Sequence, residues 1–149
     1  MISGMKGFAV SLQIPVLWSD MDALRHVNNA RYFTWFEAAR IAYFERLSGI
    51  PGAGRVAGLG EVGPILASTS CDFLRPVTYP STVEVGARVI EIGKSSLRME
   101  YAVSRTDAPE DICARGAGVV VLVRYATLEK VRMPDEVRAA IATLEKQAT

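Results

Sequence analysis

Hydrophobic and polar residues alternate along the first part of the chain, between residues 8 and 18. Apolar side chains occupy every second position in this stretch: Phe8, Val10, Leu12, Ile14, Val16 and Trp18. A period of two is typical of a strand with one buried face. The pattern therefore predicts an opening β-strand, which is followed by a polar stretch from Ser19 to Asn29.

The hydrophobic period changes after this polar stretch. Residues 30–47 contain neither Gly nor Pro, Asn28 or Asn29 suits an N-cap, and Ser48-Gly49 suits the helix end. Apolar residues recur there at helical spacing, as Phe33, Phe36, Ile41 and Phe44, with Tyr32, Trp35, Ala39 and Tyr43 on a neighbouring flank. A helix that is apolar over so much of its circumference is expected to be enclosed.

The rest of the chain predicts a glycine-rich loop, several strands and a closing helix. The loop covers residues 49–60, the strands residues 62–73, 82–89, 96–104 and 112–125, and the helix starts near Pro134. Short connections between strands favour an antiparallel sheet, and hence an α+β fold. We find no repeat and no linker, so residues 1–149 are interpreted as one domain, with the sheet curled around the long helix.

Composition excludes several classes of protein. The chain of 149 residues has 17 basic and 16 acidic residues, so no charge excess attracts nucleic acid or an anionic membrane. No run approaches the roughly 18 apolar residues of a membrane span, and no export signal is visible. Cys71 and Cys113 are expected to be reduced thiols in a cytoplasmic protein. His26 is the only histidine, which excludes a multi-histidine metal site, and we predict no metal.

Candidate chemistry is concentrated between the first strand and the long helix. Asp20, Asp22, His26 and two asparagines lie there, next to a helix N-terminus whose backbone N–H groups are unpaired. An amide such as that of Asn29 could hold an oxyanion, while an upstream carboxylate attacks a carbonyl or activates water. On spacing alone, the alternative that these residues only form turns and caps stays open.

The segment DMDALRHVNNARYFTWFEAAR resembles the signature of hotdog-fold thioesterases. It is similar to both the 4-hydroxybenzoyl-CoA thioesterase group and the plant acyl-ACP thioesterases. The shared pattern is Asp-x-Asp, three residues, a His-Val-Asn-Asn turn, and then Tyr with an aromatic-rich helix. The resemblance is strongest over residues 18–40 and extends more loosely to about residue 128. It implies a hotdog fold, an antiparallel curved sheet wrapped around one long helix.

This resemblance also implies roles for individual residues. Asp22 falls on the catalytic aspartate, as nucleophile or general base, and Asn29 on the residue whose backbone amide polarises the thioester carbonyl. His26 matches the histidine of the acyl-ACP branch and is assigned an auxiliary role. One departure concerns Leu24, because the acyl-ACP enzymes have a catalytic asparagine there, which favours the simpler carboxylate mechanism.

Five further residues are expected to contact substrate. Tyr32 is a candidate for the acyl pocket, with a plain core or interface tyrosine as the alternative. Lys94 and Ser95, in a predicted turn, resemble the position of a CoA-binding residue, and Arg75 is a second cation for the CoA phosphates. Glu37 lies beside the predicted apolar stripe, where an unpaired carboxylate is costly, so we expect an ion pair with Arg40 or a distant base.

The resulting interpretation is an acyl-CoA or acyl-ACP thioesterase without a cofactor. Family resemblance implies a homodimer or homotetramer, in which the helix of one subunit and the sheet of its neighbour share each active site. One alternative is a hotdog domain that binds acyl-CoA or an aromatic ligand without turnover. Another, a hotdog dehydratase, fits the Asp–His spacing poorly. The literal G-x-G-x-x-G at residues 58–63 precedes a strand, so we discard dinucleotide binding.

Overall fold

The chain forms the predicted order of elements, with one strand added near the C-terminus. A computed structural model describes residues 4–50 and 60–148. Its elements are β1 (Val10–Pro15), a 3-10 turn (Trp18–Asp20), α1 (Asn29–Ser48), β2 (Val62–Phe73), β3 (Thr82–Ile92), β4 (Ser96–Arg105), β5 (Ala108–Arg124), β6 (Glu129–Lys130) and α2 (Asp135–Lys146). Most of the predicted glycine-rich loop, and part of the discarded G-x-G-x-x-G, fall outside the described residues.

The strands form a single antiparallel sheet in the order β1-β3-β4-β5-β2, with β6 paired to β5. The long helix α1 packs against this curved sheet and contacts β1, β2 and β3. The predicted α+β hotdog fold is therefore confirmed. β1 is shorter than predicted, because the chain leaves the sheet after Pro15 and turns at Trp18–Asp20.

The buried face of α1 is rotated from the predicted one. Its buried residues are Tyr32, Trp35, Phe36, Ala39, Tyr43, Phe44 and Leu47. The side chain of Ile41, predicted to be part of the apolar stripe, is 48% exposed. Thus the residues interpreted as a neighbouring flank make up much of the true interface with the sheet, and the predicted stripe was partly wrong.

The ring of Phe36 on α1 packs directly against Gly116 of β5. A Cβ atom added at Gly116 would lie 2.4 Å from Cε2 of Phe36, so only glycine leaves room for this ring. The same ring stacks on Tyr101 of β4, with 4.9 Å between the ring centroids. Phe36 therefore fixes the helix at one place on the sheet.

The closing helix α2 is attached to the sheet by a polar contact. Glu145 accepts a hydrogen bond of 2.6 Å from the Tyr43 hydroxyl and one of 3.0 Å from the Val89 N–H. Val89 stands at an irregularity in the β3–β4 register, where its N–H can reach a side chain. Glu145 thus joins α2, α1 and β3.

Among the residues that the structure describes, one edge of the sheet is left open. β2 is the terminal strand of the sheet, and residues 65–70 along it are all exposed. Two of them, Ile65 and Leu66, are large apolar side chains. Among the described residues, no helix is both long and apolar enough to cross a membrane.

Candidate active site

The segment between β1 and α1 folds into a tight, closed loop. Met21 and Val27 pair across it as an isolated bridge, and the Asp22 N–H donates to the His26 carbonyl at 3.0 Å. At its tip, Arg25 adopts a φ of 65° and donates its N–H to the Asp22 carbonyl. The Val27 N–H bonds to the carbonyl of Val77, which ties the loop to the segment that precedes β3.

The two aspartates of the loop have different surroundings. Asp20 is buried, accepts a hydrogen bond from the Leu17 N–H at 2.8 Å, and lies 3.5 Å from the Nε of Arg31. Asp22 is half-buried, and its Oδ1 accepts a single bond, from the Leu24 N–H at 2.8 Å. Asp20 therefore holds the loop together, while the carboxylate of Asp22 faces an open space.

The N-terminus of α1 leaves one backbone donor available. Asn28 is the N-cap, and its side chain accepts the Ala30 N–H at 2.9 Å, while its carbonyl accepts the Arg31 N–H. Within the described part of the chain, the Asn29 N–H has no acceptor. At a helix N-terminus such a donor also benefits from the helix dipole, so it can stabilise negative charge.

Asp22 and Asn29 line a common pocket of about 520 Å³. The remaining lining residues come from the loop, from α1 and from the end of β2: Leu24, His26, Val27, Tyr32, Phe73, Leu74, Arg75 and Pro76. Most of these side chains are apolar, which suits the hydrocarbon part of a ligand. The structure therefore brings together the predicted residues Asp22, His26, Asn29, Tyr32 and Arg75.

Tyr32 forms the inner wall of this pocket. It is buried, and its ring lies edge-on to Phe73, with 5.0 Å between the centroids. Burial raises the pKa of Tyr32 to about 12, and the neighbouring Cys113 and Cys71 act in the same direction. The phenol is therefore neutral at physiological pH and presents a hydroxyl without charge.

The outer wall comes from the segment after β2. The N–H groups of Leu74 and Arg75 both donate to the Cys113 carbonyl, at 2.8 and 3.0 Å, which holds this segment against β5. The guanidinium of Arg75 is exposed and 3.8 Å from Asp111. Sequence reasoning missed Phe73, Leu74 and Pro76, because their place beside Asp22 depends on tertiary contacts.

Three predicted site residues lie elsewhere. Lys94 and Ser95 are in the β3–β4 turn, whereas the pocket lies near the other end of β3, a strand of 11 residues or roughly 35 Å. Glu37 is exposed and lines a separate cavity with Arg40 and Tyr125. Its expected ion pair was wrong: in the described structure no cation pairs with Glu37, and Arg40 instead donates to the Tyr101 hydroxyl at 3.2 Å.

The pocket combines the parts that acyl transfer requires. A carboxylate and a backbone donor share one apolar space, and His26 adds an exposed imidazole at its rim. Such a set can hold a carbonyl oxygen and act on the carbonyl carbon. Among the described residues, no three His, Cys, Asp or Glu side chains are grouped so that they could hold a metal ion.

Known proteins share the sequence pattern and the fold of this chain. Residues 16–141 match the sequence model of the thioesterase-like superfamily. PA2801 of Pseudomonas aeruginosa, a candidate thioesterase, is 36% identical, with 90% of this chain and 98% of that chain covered and a TM-score of 0.78. A thioesterase of Thermus thermophilus, solved with coenzyme A and Zn, is 34% identical, with coverages of 95% and 98% and a TM-score of 0.79. YsmA of Bacillus subtilis, an uncharacterised protein, is 28% identical over 87% of this chain and 82% of its own length.

Proposed function

Because the chain belongs to the thioesterase-like superfamily and is a thioester hydrolase, we propose that it cleaves acyl-CoA or acyl-ACP thioesters at the pocket around Asp22. The products are the free acid and the thiol. One observation carries the proposal: the same pocket is lined by Asp22, which supplies a carboxylate, and by Asn29, whose N–H has no acceptor among the described residues. Both are needed to attack a carbonyl whose oxygen gains negative charge.

The proposed mechanism assigns each group one task. The Asn29 N–H, at the positive end of α1, binds the thioester oxygen and stabilises the charge that develops on it. In one route Asp22 removes a proton from a water molecule, which attacks the carbonyl carbon. In the other route Asp22 attacks that carbon itself, and a water molecule hydrolyses the resulting mixed anhydride after the thiol has left, which restores the carboxylate and releases the acid. Both routes begin with addition to the carbonyl carbon. The C–S bond then breaks, and the thiol leaves as a thiolate that takes up a proton from solvent. His26, exposed at the rim, has an auxiliary role.

Substrate binding is divided between the pocket wall and its rim. Tyr32, Phe73 and Leu74 supply apolar contacts for the acyl group. Arg75 is exposed at the rim of this pocket and supplies a positive charge there. Lys94 and Ser95 are too far from Asp22 along β3 to act in the same subunit, so we assign them to the site of a neighbouring subunit.

A homodimer is part of this proposal. The open edge of β2 has unpaired backbone groups that a second copy can pair, and the exposed Ile65 and Leu66 beside it supply apolar surface. Since β2 ends in Phe73, at the pocket, a copy seated on this edge closes the outer side of the site. Both cysteines are free, which agrees with the reducing cytoplasm that we propose as the location.

The experiment measures thiol release from short, long and aromatic acyl-CoAs by the wild type and Asp22→Asn. We expect turnover of one substrate class, with kcat at least about a hundredfold lower in Asp22→Asn, the loss expected on removing a positioned base or nucleophile. Asp107→Asn, at an exposed aspartate in the β4–β5 turn that does not line the pocket, is the matched control. A loss below threefold in Asp22→Asn contradicts the assignment. Binding of acyl-CoA without any turnover favours a ligand-binding domain instead.

A further inference from the structure

A second groove adjoins the pocket on the other side of Asp22. Its volume is about 820 Å³, and Trp18, Met21, Asp22, Arg25, Thr78 and Tyr79 are among its lining residues. Asp22 lines both spaces, so its carboxylate stands where the two meet. A thioester whose carbonyl carbon lies at Asp22 can therefore extend into the pocket on one side and into the groove on the other.

The groove is lined by aromatic side chains that the fold leaves in water. Trp18 is 76% exposed and Tyr79 is 46% exposed. The 3-10 turn explains this position, because it buries Asp20 and directs Trp18 outward. A Trp that contributes so little to the core gains its apolar contacts only when something else covers it.

Arg25 adds a positive charge to the same groove. Its φ of 65° lies in the left-handed region, which costs free energy for any residue other than glycine and marks a position to be explained by function. Among the described residues, no carboxylate forms an ion pair with its guanidinium. Arg25 is therefore an unpaired, exposed cation held at the groove.

We propose that this groove binds the pantetheine arm of CoA and that Arg25 contacts its diphosphate, which leaves the Tyr32–Phe73 pocket to the acyl group. The inference rests on the proposed thioesterase function. The pantetheine arm combines amides with a branched hydrocarbon centre, and the groove offers the hydroxyl of Thr78 together with two aromatic faces. Phosphates are the groups for which an unpaired arginine is suited. The pocket, by contrast, has mostly apolar walls.

A binding measurement tests this without turnover. The chain has two tryptophans, and Trp35 is buried, so acrylamide quenches mainly the fluorescence of Trp18. In Asp22→Asn, saturating CoA should lower the quenching constant at least about twofold, and pantetheine should do so at higher concentration. The free acid of the best substrate should leave it unchanged. Protection by the free acid but not by CoA would overturn the assignment.

Kinetics on shortened substrates locate each contact. Trp18→Ala should raise KM about tenfold for acyl-CoA and acyl-pantetheine, and less than twofold for the N-acetylcysteamine thioester. Arg25→Gly should raise KM for acyl-CoA but not for the two shorter thioesters. In Arg25→Lys, which keeps the positive charge, KM for acyl-CoA should stay close to the wild-type value. Leu17→Ala, at a neighbouring exposed apolar residue outside the groove, is the control.

Weaker binding of CoA can be distinguished from unfolding of the protein and from failure of the proposed function. Arg25→Gly should raise the Tm, since glycine accepts the left-handed conformation, so its weaker binding is not due to unfolding. Equal losses for Trp18→Ala on all three thioesters would mean that the groove holds the acyl group, and this overturns the proposal. If instead no thioester is hydrolysed while CoA still protects Trp18, the proposed function fails and this binding assignment stands.

Discussion

At the scale of single residues, the two aspartates of the Asp-x-Asp segment differ in what surrounds them. The carboxylate of Asp20 is bound by the Leu17 N–H and by Arg31, whereas one oxygen of the Asp22 carboxylate has no partner among the described residues. A buried, fully bonded carboxylate stabilises the fold, and a half-free one is available for chemistry. Stability and activity should therefore be separable between two residues that are only two positions apart.

Asp20→Ala should destabilise the protein without removing Asp22, the carboxylate that we propose to be catalytic. The change leaves the Leu17 N–H without its acceptor, so we expect the free energy of unfolding to fall by about 1–3 kcal/mol. Urea unfolding followed by tryptophan fluorescence measures this. In Asp22→Ala the same measurement should change by less than about 1 kcal/mol, since only one local hydrogen bond is lost. Equal destabilisation in both variants would contradict the division of roles.

The sequence shows the two aspartates and the motif that contains them, but it does not show what surrounds each carboxylate in the fold. Asp20 and Asp22 are the same residue type on one short loop, and only the resemblance to known thioesterases separated them before the structure. The distinction comes from the burial of Asp20 and from its contact with Arg31. The expected ion pair of Glu37 was wrong for the same reason. The buried face of α1 is rotated from the predicted one, so Glu37 is exposed to solvent and its carboxylate needs no ion pair.

At the scale of elements, the position of α2 depends on Glu145. Val137, Ile141 and Leu144 recur at helical spacing along this helix, and all three are buried. The same spacing does not reveal that Glu145 accepts two hydrogen bonds from residues on α1 and β3. Its acceptor role requires the register irregularity beside Val89, which no local pattern in the sequence marks.

Glu145→Ala should therefore weaken the attachment of α2. Two hydrogen bonds to a charged acceptor are lost, and we expect the free energy of unfolding to fall by about 2–3 kcal/mol. Glu136→Ala, at an exposed glutamate in the first turn of the same helix, is the matched control and should change stability by less than about 1 kcal/mol. The measurement is urea unfolding followed by far-UV circular dichroism. Similar values for the two variants would show that Glu145 has no special role.

At the scale of the whole molecule, the open edge of β2 predicts association. Leu66→Asp puts a charge on the surface that we assign to a second copy, so it should convert the dimer to monomer and lower kcat/KM at least about tenfold. Ile90→Asp is the control, since Ile90 lies on β3 and is 47% exposed, against 41% for Leu66. Sedimentation velocity measures the mass. A dimer that persists unchanged in Leu66→Asp would place the interface elsewhere.

Stability should decrease in alkaline solution. Burial raises the pKa of Tyr32 to about 12, above its ordinary value of 10.0, so the unfolded chain loses this proton at lower pH than the folded protein does. The contribution of the protonated Tyr32 to the free energy of unfolding is complete below pH 10. It falls by about 3 kcal/mol as the pH rises from about 10 to 12. Urea unfolding across this range measures the slope, which should be shallower in Tyr32→Phe. An identical slope in that variant would contradict the assignment.

The order of the longer elements was accessible from sequence because most of them have their own hydrophobic period, whereas the short, exposed β6 has none and was not predicted. Alternation in β1, β3 and β4, and the helical spacing of α1, depend on neighbouring residues alone. Only part of the pocket could be predicted from sequence, since Phe73, Leu74 and Pro76 reach Asp22 through contacts between distant segments. Lys94 illustrates the same limit, because its distance from Asp22 follows from the direction of β3 in the sheet.

The fit of Phe36 against Gly116 has a consequence for how the protein can change. With that ring in the space of a missing side chain, α1 cannot slide along the sheet, and the core offers no means of adjusting the depth of the site. Phe73 and Leu74, in contrast, are 47% and 53% exposed and contribute little to the core. New substrate preferences can therefore arise, by mutation or by engineering, at these two positions without loss of the fold.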